Sequence, residues 1–347
     1  NDANELISFI ASMSGEGNLR VEENLGEGYV RLRVSEAERR QAKHDIQHVE
    51  DIVIEMLRNA RDAGADKVYL ATTKEDGVRT LVFLDNGSGV SQDMQERIFD
   101  ARVTSKLESM KMDRWGVHGR GMALFSIKQN TDEARVVASD VDLGSVFKVS
   151  VATDRLGERA DQSSWPQAVK DEDGHYVCAR GPHNIIRAAC EFALEELRAC
   201  DVYLGSPSEI AATLHAQAST RLDASRLLFI DDEAELPVVD RLGLASDAED
   251  FIRICSGLGL EMSERTAHRI LAGQIKPVRG VTARLLRERD SSSHASAQVD
   301  LAKDRRGLRI AKDDMAQFSR AVERDFNDLA SRYYLNLCGD PKIRVSR

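Results

Sequence analysis

The stretch that decides the fold lies at residues 55–63 and reads Glu55-Met56-Leu57-Arg58-Asn59-Ala60-Arg61-Asp62-Ala63. With about 100° of rotation per residue, Glu55, Asn59 and Asp62 fall on one face of a helix. The apolar residues of this region fall on a different face: Ile46, Val49, Val53, Met56 and Ala60. This pattern predicts that the helix packs on a sheet while two carboxylates and an amide point into a shared space. A solvated polar face is the alternative interpretation of the helix taken alone.

The composition is typical of a soluble globular protein, since the 347 residues are 42% apolar and 31% charged. A net charge of −10 argues against attraction of the whole molecule to nucleic acid or an anionic membrane. No apolar run approaches the roughly 20 residues that span a bilayer. No charged-then-apolar leader opens the chain, so we expect a cytoplasmic protein without membrane contact. Five widely spaced cysteines favour reduced thiols over disulfides or a zinc site: Cys178, Cys190, Cys200, Cys255 and Cys338.

The first half of the chain mixes helical and strand patterns around this stretch. Gly26-Glu27-Gly28 separates two strand-like segments and predicts a hairpin. Ser35 and Glu38 form a capping-box pattern, which begins a helical region that ends, with a break, at Gly64. Strands are expected at Asp66–Thr73, Thr80–Leu84, Arg135–Ser139 and Ser145–Val151, with helices at Ser91–Phe99 and Met122–Lys128.

Two glycine-rich turns follow the helix, and each is a weak signal by itself. Asp85-Asn86-Gly87-Ser88-Gly89 comes directly after a predicted strand, and Gly116-Val117-His118-Gly119-Arg120-Gly121 precedes a predicted helix. A carboxylate at a strand end accepts a hydrogen bond from an exocyclic amine, and glycines beside it let a flat ring approach the backbone. A glycine-rich turn at a helix N-terminus offers N–H groups to phosphates. An amide oxygen suits Mg²⁺, and a carboxylate one turn earlier can polarise water.

The order of these motifs resembles the GHKL ATPase superfamily, which is shared by gyrase, the large heat-shock chaperone, sensor histidine kinases and MutL. Glu55-x-x-x-Asn59-x-x-Asp62-Ala63 is followed by Asp85-x-Gly87-x-Gly89, Gly116-x-x-Gly119-x-Gly121 and Gly144-Ser145. Thr104-Ser105-Lys106 and the run from Asn59 to Ala65 are most similar to the MutL branch. The resemblance spans roughly residues 45–151. It implies the Bergerat ATP-binding fold, an α+β protein with a two-layer α/β sandwich whose mixed sheet carries helices on one face.

The resemblance also implies a role for individual residues. Glu55 would be the general base that activates the attacking water, and Asn59 would hold Mg²⁺. Asp85 would bind the adenine amino group, with support from Ser145 through water. The remaining residues would surround the nucleotide, with residues 100–121 as a lid: Asp62, Gly87, Gly89, Thr104, Lys106, Gly116, Gly119, Arg120, Gly121 and Met122. The expected activity is Mg²⁺-dependent ATP hydrolysis that drives lid closure and a conformational or dimerisation change, with ATP and ADP as ligands and an ATP-dependent homodimer as the expected assembly.

Some features depart from the MutL pattern. Val117-His118-Gly119-Arg120 stands where MutL proteins usually carry Phe-Arg-Gly-Glu. No β-rich second domain with a lysine for the γ-phosphate is recognisable after residue 151, and Lys276 reads as a surface lysine after a helix. The histidine-kinase branch is disfavoured, because His44 and His48 lie on or just before the asparagine-bearing helix instead of in a separate helical pair.

The second half of the chain is expected to be a different domain. The predicted division is an ATP-binding domain at 1–155, a linker or irregular segment at 156–184 and a mainly helical domain at 185–347. Residues 249–290 resemble a helix-turn-helix, and residues 263–309 contain eleven Lys or Arg against five Asp or Glu. The alternative function is therefore a DNA-binding regulator with a nucleotide-sensing or inactive N-terminal domain. Its candidate DNA contacts are Arg265, Arg269, Lys276 and Arg279, and a solvated helix face is the competing interpretation.

Overall fold

The structure is a computed structural model that describes residues 21–26, 28–104, 111–113, 116–118, 121–197, 199–222, 230 and 232–286. Its helices are α1 (Glu36–Asp45), α2 (Val49–Asp62), α3 (Ala123–Asn130), α4 (Ile185–Glu195), α5 (Pro207–Arg221), α6 (Ala248–Gly257) and α7 (Glu264–Leu271). Its strands are β1 (Val21–Gly26), β2 (Tyr29–Leu32), β3 (Lys67–Glu75), β4 (Val78–Asp85), β5 (Val103–Thr104), β6 (Lys111–Asp113), β7 (Gly116–His118), β8 (Glu133–Ser139), β9 (Ser145–Ala152), β10 (Gln167–Lys170), β11 (Tyr176–Arg180) and β12 (Asp201–Gly205). Short 3-10 turns lie at Gln92–Met94, Arg97–Phe99, Glu233–Glu235 and Arg241–Leu244.

The central sheet has five strands in the order β12-β3-β4-β9-β8. β12 runs parallel to β3, whereas the other neighbours are antiparallel, so the sheet is mixed. Asp76 and Gly77 both have positive φ and form the tight turn between β3 and β4. The strands predicted in the first half of the chain are confirmed, because each overlaps an observed strand of this sheet.

One face of the sheet packs against α2 and α4. Leu70 of β3 and Phe83 of β4 lie in the same core cluster as Ile52 and Leu57 of α2. Ile52 and Leu57 are fully buried, which fixes the axis of α2 against the sheet. The predicted apolar stripe of α2 is confirmed, because each of its members is buried: Ile46, Val49, Val53, Met56 and Ala60.

The opposite face of the sheet is covered as well. Tyr69 of β3 and Leu84 of β4 pack with Ile210 of α5 and Phe251 of α6 in a second core cluster. The α+β class, the α/β sandwich and its mixed sheet are confirmed, and helices cover the second face of the sheet as well as the one face expected. The physical reason lies in the strands themselves, because an uninterrupted buried run such as Leu81–Asp85 belongs to a sheet that is covered on both sides.

A smaller sheet lies beside the first face. β1 and β2 form the predicted hairpin, and β5 pairs with β2 to complete three strands. The predicted capping box is present, since the Glu38 N–H donates to Ser35 and the Ser35 N–H donates to Glu38. α1 and α2 are separated by the break at 46–48, and the predicted helix at Ser91–Phe99 is two 3-10 turns.

The segment at 156–184, expected as a linker, contains the hairpin of β10 and β11. The chain then returns to the central sheet as β12, and residues up to Arg289 belong to the same compact unit as the first half. Independent folding of 1–155 and 185–347 stays a prediction. The helix expected at 2–13, most of the strand expected at Leu227–Ile230 and the helix expected at about 313–337 lie outside the described residues.

The four described cysteines are buried thiols that form no disulfide with one another: Cys178, Cys190, Cys200 and Cys255. Burial raises the pKa of the Cys255 thiol to about 12. Burial, followed by the carboxylates of Glu196 and Asp201, raises the pKa of Cys200 to about 12. Both thiols therefore stay neutral at pH 7 and act as small apolar groups.

No helix within the described ranges combines the length and the apolar composition that a bilayer crossing requires.

Candidate nucleotide site

Three separate segments of the chain meet around one cavity of about 550 Å³. The segments are α2, the carboxyl end of β4 with the adjoining start of β9, and the region around β5 and the start of α3. The residues predicted from the sequence that line this cavity are Glu55, Asn59, Asp62, Asp85, Gly89, Thr104, Gly121, Met122 and Ser145. The convergence follows from the fold, because β4 packs against α2. The chain segments that follow these two elements lie at the same edge of the sheet.

α2 places its polar residues in the cavity because its opposite side is anchored. The backbone N–H groups of Gln47 and His48 donate to Asp51 at 3.0 and 2.9 Å, which fixes the first turn. Gly64, with φ of 74°, ends the helix. The Ser88 N–H donates to the carbonyl oxygen of Ala63 at 2.9 Å and so holds the turn after β4 against the C-terminus of α2.

The carboxylates of α2 are ion-paired along the helix. Arg58 Nη1 lies 2.7 Å from Glu55 Oε1, and Arg61 Nε lies 3.1 Å from Asp62 Oδ1. Arg61 Nη1 also lies 3.2 Å from Glu196, just beyond α4. These pairs hold the side chains of α2 in defined directions and connect this helix to the segment that precedes β12.

Asn59 presents an amide whose hydrogen-bonding capacity is incompletely used. Its Nδ2 atom is buried and has no hydrogen-bond partner among the described residues. A half-turn of the amide places Oδ1 at the same position, since the two orientations have nearly the same shape. An amide oxygen flanked by the carboxylates of Glu55 and Asp62 is a donor set that suits a hard divalent cation. The residues present therefore fit Mg²⁺.

Asp85 ends β4 and is 4% exposed. Its Oδ1 accepts a hydrogen bond from the Gly87 N–H at 2.8 Å, so the following turn orients the carboxylate. Ser145 lies opposite Asp85 in the register of β4 and β9. The Ser139 hydroxyl donates to the Gly144 carbonyl oxygen at 2.8 Å and lies 3.2 Å from Ser145 Oγ. These contacts link the end of β8 to the start of β9.

Glycine is required at two turns of the site. A Cβ on Gly89 would lie 1.8 Å from the carbonyl oxygen of Asp140, and one on Gly144 would lie 2.1 Å from that of Asp85. Both residues have positive φ, 68° and 77° respectively. Gly87 lies beside Asp85 but is not a lining residue of the cavity, and its predicted contact with a nucleotide stays a prediction.

The expected lid is described only in part. Arg102 has φ of 60°, and its N–H donates to the Gly121 carbonyl oxygen at 2.8 Å, so the two ends of the lid lie together. Thr104 pairs with Val30 in the smaller sheet, and Gly116 begins β7. The predicted phosphate contacts Lys106, Gly119 and Arg120 lie outside the described residues. Their roles stay predictions.

The charge around the cavity is uneven. Four carboxylates line it, those of Asp45, Glu55, Asp62 and Asp85, and Arg58 is the only basic side chain among the described lining residues. Lys276 is exposed and does not line the cavity. A polyanionic ligand would therefore need a cation of its own here, because the carboxylates repel it.

The comparisons with known proteins agree with this geometry. Residues 46–139 match the family model described as "Histidine kinase-, DNA gyrase B-, and HSP90-like ATPase". The chain contains a segment similar to these ATPases. It also resembles the DNA mismatch repair protein MutL of Staphylococcus aureus strains Newman, JH1 and COL, at 28% identity over 136 residues. The matched part covers 36% of this chain and 20% of each relative, so the chain spans about one fifth of their length.

These matches bear out the resemblance found in the motifs, and they support ATP binding by this segment. The family match covers the helix with Glu55 and Asn59 and the turn after Asp85. The second half of the chain lies outside the family match.

The helix-turn-helix candidate is formed by α6 and α7, with a further helical turn at 281–286. Ala267 and Ile270 bury one side of α7, whereas Arg265 and Arg269 are exposed on the other. Lys276 and Arg279 are exposed in the segment that follows. DNA binding by this surface stays a prediction.

Sequence reasoning assigned no role to several residues that line the site. Arg58 was part of the deciding stretch, but no role was assigned to it. Tyr29 lines the cavity from β2, which pairs with β5, and Asp45 lines it from the end of α1. The sequence signal for the pair of Glu55 and Arg58 is the spacing of three residues between a functional carboxylate and an arginine on one helix.

Proposed function

We propose that the cavity binds ATP with Mg²⁺ and hydrolyses the nucleotide. The observation that carries the proposal is the convergence of the α2 amide and carboxylates, the buried Asp85 and the glycine-dependent turns on one cavity. The match of residues 46–139 to an ATPase family supports it independently of that geometry.

Each residue has a distinct task in this proposal. Asp85 accepts a hydrogen bond from the adenine amino group, with Ser145 beside it. Asn59 is the protein ligand of Mg²⁺, which when bound neutralises charge on the phosphate oxygens. Glu55 orients the attacking water and accepts its proton. The proposed surroundings of the nucleotide are Asp62, Gly87, Gly89, Thr104, Lys106, Gly116, Gly119, Arg120, Gly121 and Met122.

Nucleotide binding is proposed to close the lid and to favour a homodimer. Two contacts support the coupling of the lid to the smaller sheet: the Arg102 N–H joins the two lid ends through Gly121, and Thr104 pairs with Val30 of β2. Closure over the phosphates would therefore act on β1, β2 and α1. Mismatch repair is an activity of the much longer MutL relatives and is no part of this proposal.

The test measures ATP affinity and turnover with and without Mg²⁺ for the parent and for Glu55→Ala. We expect Glu55→Ala to retain the affinity within about threefold and to lose turnover by about 100-fold or more, since general base catalysis contributes roughly 10²–10⁴-fold. Glu249→Ala removes an exposed carboxylate at the start of α6 and serves as the matched control. Absence of saturable ATP binding, or an unchanged turnover in Glu55→Ala, would show the proposal to be wrong.

A further inference from the structure

Arg58 is unusual among the residues that surround the cavity. It supplies the only positive charge of the described lining, against four carboxylates. It is also 3% exposed, and a buried guanidinium is costly unless a negative group compensates it. The compensating group that the structure places at 2.7 Å is Glu55, the carboxylate assigned to the attacking water.

Both members of this pair lie on α2. Glu55 and Arg58 are three residues apart on one helix, so their side chains lie on adjacent turns of the same face. The fully buried Ile52 and Leu57 hold that helix against the sheet. Glu55 is 22% exposed, so its carboxylate meets the cavity while Arg58 holds it from the buried side.

We propose that Arg58 is a positioning residue for hydrolysis, and this inference rests on the proposed function of Glu55. Arg58 holds Oε1 and thereby restricts the rotamers of a flexible side chain, so that the carboxylate faces the place where water attacks. A small displacement of a catalytic group lowers the rate strongly, by roughly 10²-fold for about 1 Å. Arg58 acts through Glu55 and is not itself a ligand of the triphosphate.

Two other roles give different outcomes. If Arg58 contacted the phosphates, its removal would weaken ATP binding at least as much as it slows turnover. If the pair only stabilised the fold, its removal would lower the melting temperature and leave the turnover of folded molecules unchanged. The change in kcat, compared with the change in the Kd for ATP, distinguishes these two roles from the positioning role.

The experiment compares Arg58→Met and Arg58→Lys with the parent by ATP titration, steady-state hydrolysis and thermal unfolding. We expect Arg58→Met to lower kcat by about 10- to 100-fold, as loss of a supporting contact typically does, with the Kd for ATP within about threefold. Arg58→Lys should lower kcat by only about threefold to tenfold, because it keeps the charge without the planar fork. The matched control is Arg187→Met, which breaks the buried Arg187–Glu191 pair of α4 outside the cavity and should lower stability alone.

A double-mutant cycle with Glu55→Gln completes the test. In the Glu55→Gln background, measured by single turnover, Arg58→Met should change the rate by less than about threefold. An undiminished effect there, a larger change in Kd than in kcat, or an unchanged kcat in folded Arg58→Met overturns the inference.

If Arg58→Met does not fold, the Arg58→Lys variant alone tests the inference. The inference then requires a kcat about threefold to tenfold below the parent value with an unchanged Kd, and a parental kcat overturns it. Failure of the proposed function looks different, since Glu55→Gln alone would then leave turnover intact.

Discussion

Replacement of Asp85 by asparagine tests the assignment of the adenine site most directly. The new amide would retain an oxygen that accepts the Gly87 N–H, now at 2.8 Å from Oδ1 of Asp85, so the turn keeps its conformation. The amide nitrogen would then occupy the position of the other carboxylate oxygen. A donor would face the donor of the adenine amino group, and the hydrogen bond would be lost.

The size of the effect follows from the burial of Asp85, which is 4% exposed and therefore shielded from bulk water. A hydrogen bond to a charged group contributes about 1.5–3 kcal/mol. Since about 1.4 kcal/mol corresponds to a tenfold change in Kd, we expect Asp85→Asn to weaken ATP binding by about 10- to 100-fold. Guanine carries a carbonyl oxygen where adenine carries the amine, so the preference for ATP over GTP should shrink as well.

The assay is a titration with ATP and GTP by calorimetry, accompanied by thermal unfolding of each variant. Asp142→Asn is the matched control, because Asp142 is exposed in the neighbouring turn between β8 and β9 and does not line the cavity. Its φ of 61° suits asparagine. Folded Asp85→Asn that binds ATP within about threefold of the parent would refute the assignment of Asp85 to adenine.

Two further predictions concern stability. Gly89→Ala should cost about 2–5 kcal/mol in the free energy of unfolding, because its Cβ would meet the Asp140 carbonyl oxygen at 1.8 Å in addition to the strain of positive φ. Gly174→Ala, also at positive φ but with open space around it, should cost only about 1–2 kcal/mol, and urea unfolding of both variants checks the difference. Burial raises the pKa of Glu158, but hydrogen bonds from Arg79 and Lys74 outweigh it and hold the net value below the ordinary range. The ionised carboxylate therefore stabilises the fold at pH values above its ordinary pKa, and this contribution is lost as the pH falls. Glu158→Gln should lower the free energy of unfolding at pH 7 by about 1–3 kcal/mol, and the difference should shrink when unfolding is repeated below about pH 4; a constant difference would contradict it.

Much of the first half of the fold was predictable from the sequence because its signals are local. The capping box at Ser35, the apolar stripe of α2 and the turn at Asp76 each act over a few residues. The same holds for the site, since a helix with Glu55 and Asn59 followed by a strand that ends at Asp85 places these residues at one edge of the sheet.

The rest depends on contacts between distant parts of the chain. β12 has only five residues, and its partner β3 lies more than a hundred positions earlier, so no local pattern marks it as part of this sheet. The sequence likewise predicts a separate domain for the helices that cover the second face, because no local pattern marks their contact with the sheet. The pairing of Arg58 with Glu55 became visible only when burial of the guanidinium was known.

The parallel strand β12 has a consequence for how the chain can be divided. It pairs with Lys67–Ala71 of β3, and the Asp201 N–H donates a hydrogen bond to the carbonyl oxygen of Asp66 at 2.8 Å. A fragment that ends at residue 155 would leave the edge of β3 unpaired. An unpaired edge strand can pair with strands of other chains. Residues 201–205 therefore complete the edge of the same sheet that carries Asp85.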